Sequence, residues 1–457
     1  MADWSDYNVE ILDEPFVRMA DDDWPERKFS QTARVHFLDR KGNEYYIKEY
    51  GFVTPDEVLE DIHARRAINL SHCYVNELSL ELGWVGLNVG KRVDVLLHKA
   101  KEAFFDGGLN LNGAVFPDGD ITFEDSMFGR GDVSFTSSLF GRGNVTFDFA
   151  QFFSGDVSFH HARFGEGNLS FMGSWIGDGD LGFEYTLFGN DNISFDYVNY
   201  GNVYIRYSKI RSSMGFSVRS LKHLVFDNCF FYADLDFTGA HKIGCLEFLH
   251  CINHEVINIR WRYNDLATSI PAILQDSYGT LAERYGRAAQ TALLLKENFR
   301  KMGYYDDEDA AYFAFKKFRL RGSYWRGVEG KGLRKTLNVL WAAPWLALRW
   351  LFLEALSGYG VKPLNAILAA VLVWAGFGGV YYLLINLGLG NFGGRSVDEL
   401  TPFTQAFYHS AVTFLTIGYG DIHPAGGIIR ILSGLEGFAG LFMMSIFTVS
   451  FMRKVLR

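Results

Sequence analysis

A short repeat between Gly119 and Asn202 constrains the fold of this chain more than any other feature. Its seven units read GDITFEDSMFGR, GDVSFTSSLFGR, GNVTFDFAQFFS, GDVSFHHARFGE, GNLSFMGSWIGD, GDLGFEYTLFGN and DNISFDYVNYGN. Each unit carries an aliphatic-x-Phe pair and a small-x-aromatic or small-x-aliphatic pair, with Gly, Asp or Asn between them. Side chains two positions apart point the same way in a strand, and the polar residues supply turns. Short strands at a fixed period predict a β-solenoid, in which each coil packs only against its neighbours.

The coil of this predicted solenoid should contain two repeat units, because a single unit can hardly enclose two phenylalanine rings. Similar pairs continue after the repeat at a slightly shorter spacing, and weaker ones precede it. These pairs are Leu224/Phe226, Leu235/Phe237, Leu246/Phe248 and Ile257/Ile259 after the clean repeat of 119–202, and Ile68/Leu70 and Leu109/Leu111 before it. We therefore predict a cap region over residues 1–60 and a solenoid over residues 61–265.

The spacing of the phenylalanines, alternately five and seven residues, resembles that of pentapeptide-repeat proteins. The resemblance implies a right-handed β-solenoid with a small residue and a Leu or Phe facing inward on each side of the coil. Every second step here has two extra residues, so the square cross-section of that family does not follow directly. Two interpretations of the solenoid stay open: a rigid spacer and assembly unit, or a surface for an unknown cytoplasmic ligand or protein.

The charge balance and the polar residues exclude several classes of function. The chain has 53 acidic and 44 basic residues, for a net charge of -9, whereas a nucleic-acid-binding protein needs a basic face. No nucleophile, base and orienting residue occur at useful spacing, so an enzyme is not expected. Cys245, Cys251, His250 and His254 could surround a zinc ion, but they contain no CxxC pair and repeat packing also explains the cysteines, so we predict no cofactor. Because no export signal is present, we expect the four cysteines, Cys73, Cys229, Cys245 and Cys251, to be reduced thiols.

A helical connector is predicted after the solenoid. Helical periodicity on both sides of GYYDD predicts a hairpin over residues 266–330. Basic residues then precede LNVLWAAPWLALRWLFLEAL, residues 337–356, in which Pro344, Arg349 and Glu354 interrupt an apolar, tryptophan-rich sequence. Such a segment is typical of an amphipathic helix that lies in the membrane interface, which we place within residues 331–360.

The C-terminal residues 361–457 contain two long apolar stretches. Residues 364–389 carry no charge, and residues 427–452 carry only Arg430 and Glu436. At about 1.5 Å per residue, each is long enough to span a hydrocarbon core of about 30 Å. Between them, residues 402–415 form a helix too short to cross the bilayer, followed by glycine-rich sequence. Non-helical backbone at membrane depth is tolerated only inside protein or along a water-filled cavity, so we predict a re-entrant pore helix.

The sequence TIGYGD, residues 416–421, resembles the selectivity filter of potassium channels, and the order of helix, short helix, filter and helix resembles their two-transmembrane subclass. The resemblance implies an all-α pore domain and a homotetramer. It also implies that the filter comprises Thr416, Ile417, Gly418, Tyr419 and Gly420. The Thr416 hydroxyl and the carbonyls of residues 416–419 would then coordinate potassium. Two glycines in five residues permit the alternating backbone handedness that such a strand needs.

The same resemblance assigns roles to residues around the filter. Asp421 would lie at the outer mouth, while Tyr408 and His409 would support Tyr419 from the pore helix. Gly440 matches the hinge of the inner helix, with Gly437 as a rival. Glu436 is a carboxylate within a span, which is costly and predicts a role in subunit packing or cavity charge.

These observations predict a multidomain potassium channel subunit that conducts K⁺ passively and whose gating is influenced by the cytoplasmic solenoid. The N-terminal MADWSDYNVE lacks the features of a signal peptide, and basic residues flank the spans on one predicted side. We therefore expect a multi-pass protein of the inner (plasma) membrane with both termini in the cytoplasm. The alternatives are a weakly selective cation channel and a membrane-anchored scaffold with a vestigial pore.

Overall fold

The computed structural model describes residues 4–20, 24–80, 92–199, 201–218, 220–275, 278–328, 344, 347, 349–356, 358–394, 397 and 399–456. These residues form two compact units, Met1–Ala311 and Tyr312–Arg457. The first unit is a β-solenoid of about nine turns, with an N-terminal cap and helices after it.

The solenoid coil is four-sided, and the prediction of two repeat units per coil is confirmed by its ladders. Ile121 pairs with Val145, and Val145 with Leu169, in parallel register. From Ile193 onward the spacing shortens, since Ile193 pairs with Met214 and Leu235 with Ile257. One coil comprises the strands Ile121–Thr122, Met127–Phe128, Val133–Ser134 and Leu139–Phe140. The four-sided cross-section was not predicted from the sequence.

The strands of the solenoid fall into stacked ladders. One nine-stranded ladder contains Ile68–Asn69, Leu97–Lys99, Ile121–Thr122, Val145–Thr146, Leu169–Ser170, Ile193–Ser194, Met214–Gly215, Leu235–Asp236 and Ile257–Asn258. A second side contains Cys73–Ser79, Phe104–Asn110, Val133–Ser134, Val157–Ser158, Asp180–Glu184, Asn202–Arg206, Leu221–Asp227 and Ile243–Leu249. A third side contains Met127–Phe128, Gln151–Phe152 and Trp175–Ile176, and the strand Phe104–Asn110 pairs with both the second and the third side. The remaining side contains Val93–Asp94, Ala114–Phe116, Leu139–Phe140 and Arg163–Phe164, then Lys209–Ile210, Phe230–Phe231 and Ile252–Asn253.

Stacked phenylalanine rings fill the interior of the coil. Phe123, Phe147 and Phe171 lie in one column with ring centroids 4.8 and 4.9 Å apart and almost parallel planes. Phe135 and Phe159 form a second column at 5.1 Å, and all five rings are fully buried. Each ring removes about 150–250 Å² from water, so this core stabilises the solenoid without contribution from any other chain.

Hydrogen bonds between coils explain the polar residues of the repeat. The inward hydroxyls of Ser174 and Thr186 donate to carbonyls of the preceding coil, at 2.6 and 2.9 Å. At the turns, the Asp132 side chain accepts from the Asp156 backbone N–H, and Asp156 accepts from Asp180, both at 2.9 Å. The Asp and Asn of the repeat therefore form a ladder that satisfies the turn backbone of the next coil.

The cap at the N-terminal end is an antiparallel sheet that continues the solenoid ladder. It contains Trp4–Leu12, Thr32–Asp39 and Glu44–Val53, with a separate pair Phe16–Arg18 and Arg27–Phe29, and a helix α1, Pro55–His63. Gly51 of the last cap strand pairs in parallel with Cys73 of the first coil. Tyr7 and Tyr50 pack on Phe104 and cover the end of the core.

Helices cover the other end of the solenoid. They are α2, Leu266–Ala272, a short 3₁₀ turn Ile273–Gln275, and α3, Leu281–Met302. In α3, Asn298 accepts from the Ile257 N–H at 2.9 Å and donates to the Ile257 carbonyl at 2.8 Å, so it occupies the place of a further coil. The helix α4, Tyr305–Val328, follows after Gly303. α3 ends directly before GYYDD, residues 303–307, and α4 begins within it, so two helices are present where the sequence predicts two.

Within its described residues, the second unit has three further helices: α5, Pro363–Asn386, α6, Pro402–Phe414, and α7, Gly427–Val455. A two-stranded pair, Phe392–Gly393 with His423–Pro424, joins the loops on either side of α6. α5 ends three residues before the predicted boundary because Gly388 adopts φ 68° and its N–H bonds to the Ile385 carbonyl, which terminates the helix.

The predicted interfacial helix of residues 337–356 lies in part outside the described residues, which here are 344, 347 and 349–356. Its described part includes a π-helical turn, Trp350–Ala355, and a 3₁₀ turn, Gly358–Gly360, follows. Both α5 and α7 are long and apolar enough to cross a membrane. Their large side chains, such as Leu372 at 73 % and Phe438 at 72 % exposure, are uncovered within a single chain.

Candidate functional site

The short helix α6 begins at a strong cap and points its C-terminus into the TIGYG segment, residues 416–420. Thr401 accepts from the Thr404 N–H at 3.3 Å, and Pro402 occupies the first turn, where its missing N–H has no cost. With 13 residues the helix is about 20 Å long, too short to span a bilayer. It packs between α5 and α7, burying Ala406 and Ser410.

The backbone of the TIGYG segment alternates in handedness. Thr416, Gly418 and Gly420 have positive φ angles of 57°, 62° and 76°, and the two residues between them do not. Glycine adopts such angles freely, whereas a threonine in this region is strained. The segment starts directly from the last turn of α6, since the Ile417 N–H donates to the Val412 carbonyl at 2.9 Å.

This segment is exposed in the isolated chain. Ile417 is 47 % and Tyr419 69 % exposed, and a Cβ added to either Gly418 or Gly420 would meet no described atom within 4 Å. A glycine-rich turn buried between helices would have neighbours at these positions. The segment therefore has an open side within one chain.

Asp421 follows the segment and is held by α6. The Tyr408 hydroxyl donates to Asp421 Oδ2 at 2.7 Å, and the Ile422 N–H donates to Oδ1 at 3.0 Å. The Tyr408 hydrogen bond holds the pKa of Asp421 below its usual range because it stabilises the ionised form. The carboxylate is thus fixed at the end of the TIGYG segment in its charged state.

The predicted supporting residues Tyr408 and His409 face different partners. Tyr408 reaches Asp421, as described above. His409 is buried, and its Nε2 lies 2.9 Å from the Ser433 hydroxyl of α7, while its ring packs on Phe392 with centroids 4.6 Å apart. Their predicted support of Tyr419 stays a prediction, since the partners described are Asp421 and Ser433.

Glu436 is fully buried inside the chain and joins three helices. The Tyr381 hydroxyl of α5 donates to Glu436 Oε2 at 2.8 Å, and the Ser410 hydroxyl of α6 donates to Oε1. Both carboxylate oxygens are therefore satisfied by the two neighbouring helices of the same chain, which offsets part of the cost of burial. The roles predicted for Glu436, subunit packing or cavity charge, stay predictions, and the contacts that the structure describes lie within one chain.

The two glycines predicted as a hinge lie in a continuous part of α7. A Cβ at Gly440 would lie 2.0 Å from the Phe414 carbonyl oxygen, whereas one at Gly437 would have only ordinary contacts, the nearest at 3.9 Å. Gly440 is thus required by the close approach of α6 to α7. Whether either residue also acts as a hinge stays a prediction.

Sequence reasoning did not identify Tyr381, Ser410 or Ser433, which hold Glu436 and His409. An intramembrane carboxylate needs donors, so Glu436 itself was a signal that nearby hydroxyls should exist. Among the residues that the structure describes, no three His, Cys, Asp or Glu side chains gather as a metal site would require.

Comparison with known proteins bears on the C-terminal unit. Residues 369–457 match a protein-family model described as an ion channel. No curated protein and no solved structure matches the chain. The match covers α6, the TIGYG segment, α7 and most of α5, and it therefore includes most of both helices that are long and apolar enough to cross a membrane. The C-terminal part of this chain is therefore an ion channel domain, which follows a β-solenoid and its helices.

Proposed function

We propose that this chain is the subunit of a potassium-selective channel, in which four copies surround one pore and K⁺ passes down its gradient. The observation that carries this proposal is the alternating handedness of residues 416–420. Such alternation turns successive carbonyl groups toward the same side of a strand. Four strands around an axis then offer stacked rings of carbonyl oxygens that replace the hydration shell of a dehydrated cation.

Three features of the single chain support a pore shared between copies. The TIGYG segment has an open side, and Ile417 and Tyr419 are exposed. The C-terminus of α6, which carries partial negative charge, leads directly into this segment and favours a cation there. The exposed apolar flanks of α5 and α7 need cover from lipid or from other copies. In this arrangement Asp421 places a ring of carboxylates at the pore mouth.

The proposed arrangement puts the pore in the inner (plasma) membrane with both termini in the cytoplasm. The last turn of α7 carries Arg453 and Lys454, which favours the cytoplasmic side for that end. The solenoid then lies in the cytoplasm and influences the gate through the helices that connect it to α5. The cation pathway requires no cofactor in this proposal, only the permeant ion.

The test is K⁺ flux into liposomes that contain the purified full-length chain, comparing the wild type with Gly418→Asp. The matched control is Gly42→Asp, because Gly42 also has a positive φ, of 80°, with no described atom within 4 Å of an added Cβ, but lies in the cap. We expect flux at least about a hundredfold lower in Gly418→Asp and unchanged in Gly42→Asp. Equal flux in wild type and Gly418→Asp would refute the pore assignment.

Selectivity and regulation need separate measurements on the same liposomes. Reversal potentials in mixed K⁺ and Na⁺ should follow the K⁺ gradient, and a potential near zero would instead identify a weakly selective cation channel. A truncated chain that begins at Tyr304 and keeps α4 whole should differ from the full chain in flux. Identical flux would remove the solenoid from gating, and no flux from either intact form would favour the scaffold alternative.

A further inference from the structure

A cavity of about 770 Å³ lies in the second unit between α4 and the last turns of α7. Its volume is within the range of about 300–1,000 Å³ found for small-molecule sites. Its lining includes Lys316, Arg319, Leu320, Arg349, Tyr359 and Ser450. It lies near the C-terminal end of α7, at the opposite end of that helix from the TIGYG segment, and the channel site described above does not use it.

The charged side chains among the described lining residues are all cationic. Lys316 and Arg319 come from α4, and Arg349 precedes the π-helical turn. In the part of the chain that the structure describes, none of these three forms an ion pair with a carboxylate. The nearby Glu354 is already paired with Arg321, at 3.5 Å. A cavity with three cations and no acid in its described lining favours an anionic occupant.

Two polar atoms at the cavity are buried without a partner among the described residues. They are the Tyr359 hydroxyl and the Ser450 Oγ, and Ser450 is 1 % exposed. An unsatisfied buried polar group costs about 1–3 kcal/mol, so such groups are rare unless a ligand or water completes them. Burial raises the pKa of Tyr359 to about 12, so its hydroxyl stays a donor at neutral pH. Both hydroxyls can donate to an anion's oxygens.

The rest of the lining is apolar. Leu320, Ile446 and Val449 form this part, and Val449 is 67 % exposed on the flank of α7. An occupant with an anionic head and hydrocarbon chains would match both parts of the cavity. The position at the end of an apolar, membrane-length helix is where lipid headgroups lie.

We propose that this cavity binds a phosphate ester, with the phosphate held by Lys316, Arg319 and Arg349 and its oxygens accepting from Tyr359 and Ser450. The ester is the headgroup of an anionic phospholipid or a soluble phosphate ester, which share this chemistry. Because it contacts both α4 and α7, the occupant fixes the last turns of α7 relative to α4. Its presence therefore alters the end of the helix that lines the proposed pore.

Binding is measured directly by calorimetry on the purified full-length chain in detergent, so the result does not depend on whether the pore conducts. The probes are short-chain phosphatidic acid, short-chain phosphatidylcholine and glycerol 3-phosphate. Phosphatidic acid should bind, and the double variant Lys316→Gln/Arg319→Gln should weaken it at least about tenfold. Lys317→Gln/Arg326→Gln removes the same charge from the same helix outside the cavity and should change affinity less than about twofold.

The relative affinities distinguish a lipid headgroup from a soluble phosphate ester, and two further results would overturn the proposal. Phosphatidic acid binding much tighter than glycerol 3-phosphate identifies a lipid headgroup, and similar affinities identify a soluble phosphate ester. Equal weakening by the two double variants, or equal affinity for phosphatidylcholine, would overturn the proposal in favour of diffuse attraction. Ser450→Ala gives a second check: it should weaken phosphatidic acid about two- to fivefold and leave the ligand-free chain at least as stable to heat.

Discussion

The two units of this chain bury their apolar residues in different ways. In the solenoid, the phenylalanines at the inward positions, such as Phe123 and Phe147, are fully buried by the coils of the same chain, and the ends are covered by the cap and by α3. In the channel domain, Leu372 and Phe438 are more than 70 % exposed, although Tyr381 and Phe392 form a small internal core. The solenoid is complete as a single chain, whereas the channel domain needs lipid or further copies to cover its surface.

The difference indicates where each unit is sensitive to mutation. Where the core lies within the chain, removal of an inward side chain should lower the free energy of unfolding directly. Where the apolar surface faces outward, the sensitive positions should instead be the close approaches between helices and the few internal hydrogen bonds.

Truncation of an inward ring should give the largest loss of stability. Phe147 lies between Phe123 and Phe171 with no exposure, so Phe147→Ala should cost about 3–5 kcal/mol. Phe149 is 48 % exposed at the neighbouring corner, and Phe149→Ala should cost less than about 1 kcal/mol. Urea unfolding of both variants, followed by fluorescence, measures the two costs. Similar costs for the two variants would contradict the ring column as the core.

An added methyl group between helices should have the next largest effect. Gly440→Ala would place its Cβ against the Phe414 carbonyl, so the channel domain should lose about 1–3 kcal/mol. Gly434→Ala meets no described atom within 4 Å in the chain and should be neutral or slightly stabilising, since alanine favours helix. Thermal unfolding of the two variants in detergent measures this. If Gly440→Ala is tolerated like Gly434→Ala, the close approach is not what requires glycine.

The smallest effect concerns pH rather than stability. The Tyr408 hydrogen bond lowers the pKa of Asp421. As the pH falls, Asp421 therefore stays ionised through the range in which an ordinary aspartate is protonated, and it takes up its proton only in stronger acid. Tyr408→Phe removes this hydrogen bond, so the acid-induced fall in K⁺ flux should move to higher pH. Tyr382→Phe, at an exposed tyrosine of α5, is the control and should keep the wild-type profile. A Tyr408→Phe profile identical to wild type would mean that Asp421 does not influence flux.

The length of one coil could be predicted from the sequence, because one repeat unit is too short to enclose its two phenylalanine rings and two units together are long enough. The four-sided cross-section could not be predicted, because the phenylalanine spacing alternates between five and seven residues and so departs from a regular five-residue repeat. The structure places the extra residues of the longer steps in glycine turns such as 129–132, where Gly131 has φ 105° and an added Cβ would lie 2.7 Å from Gly107 of the preceding coil. Local sequence does not reveal that two turns will stack so closely.

A similar limit applies to the channel domain. The glycines of TIGYG predicted the alternating backbone, since glycine enters the left-handed region at little cost. The partners of Glu436 were not predictable, because Tyr381 and Ser410 are far away in sequence and meet it only through the rotation of α5 and α6 about their axes. The sequence of neither helix specifies this rotation, because an apolar helix can turn any of its faces toward lipid without cost.

The two-unit register of the coils also constrains how related chains can differ in length. Val133, Val157 and Leu181 occupy equivalent rungs, and the Asp ladder joins the same rungs. Duplication or loss of one whole coil would leave every remaining rung with an acceptable neighbour and would move the cap by one strand spacing, about 4.8 Å. Gain or loss of a few residues would have to be absorbed in the turns of a single coil, as in the shorter coils after Ile193, and would add or remove no rung. The distance between the two ends of this solenoid is therefore adjustable only in discrete increments of one coil.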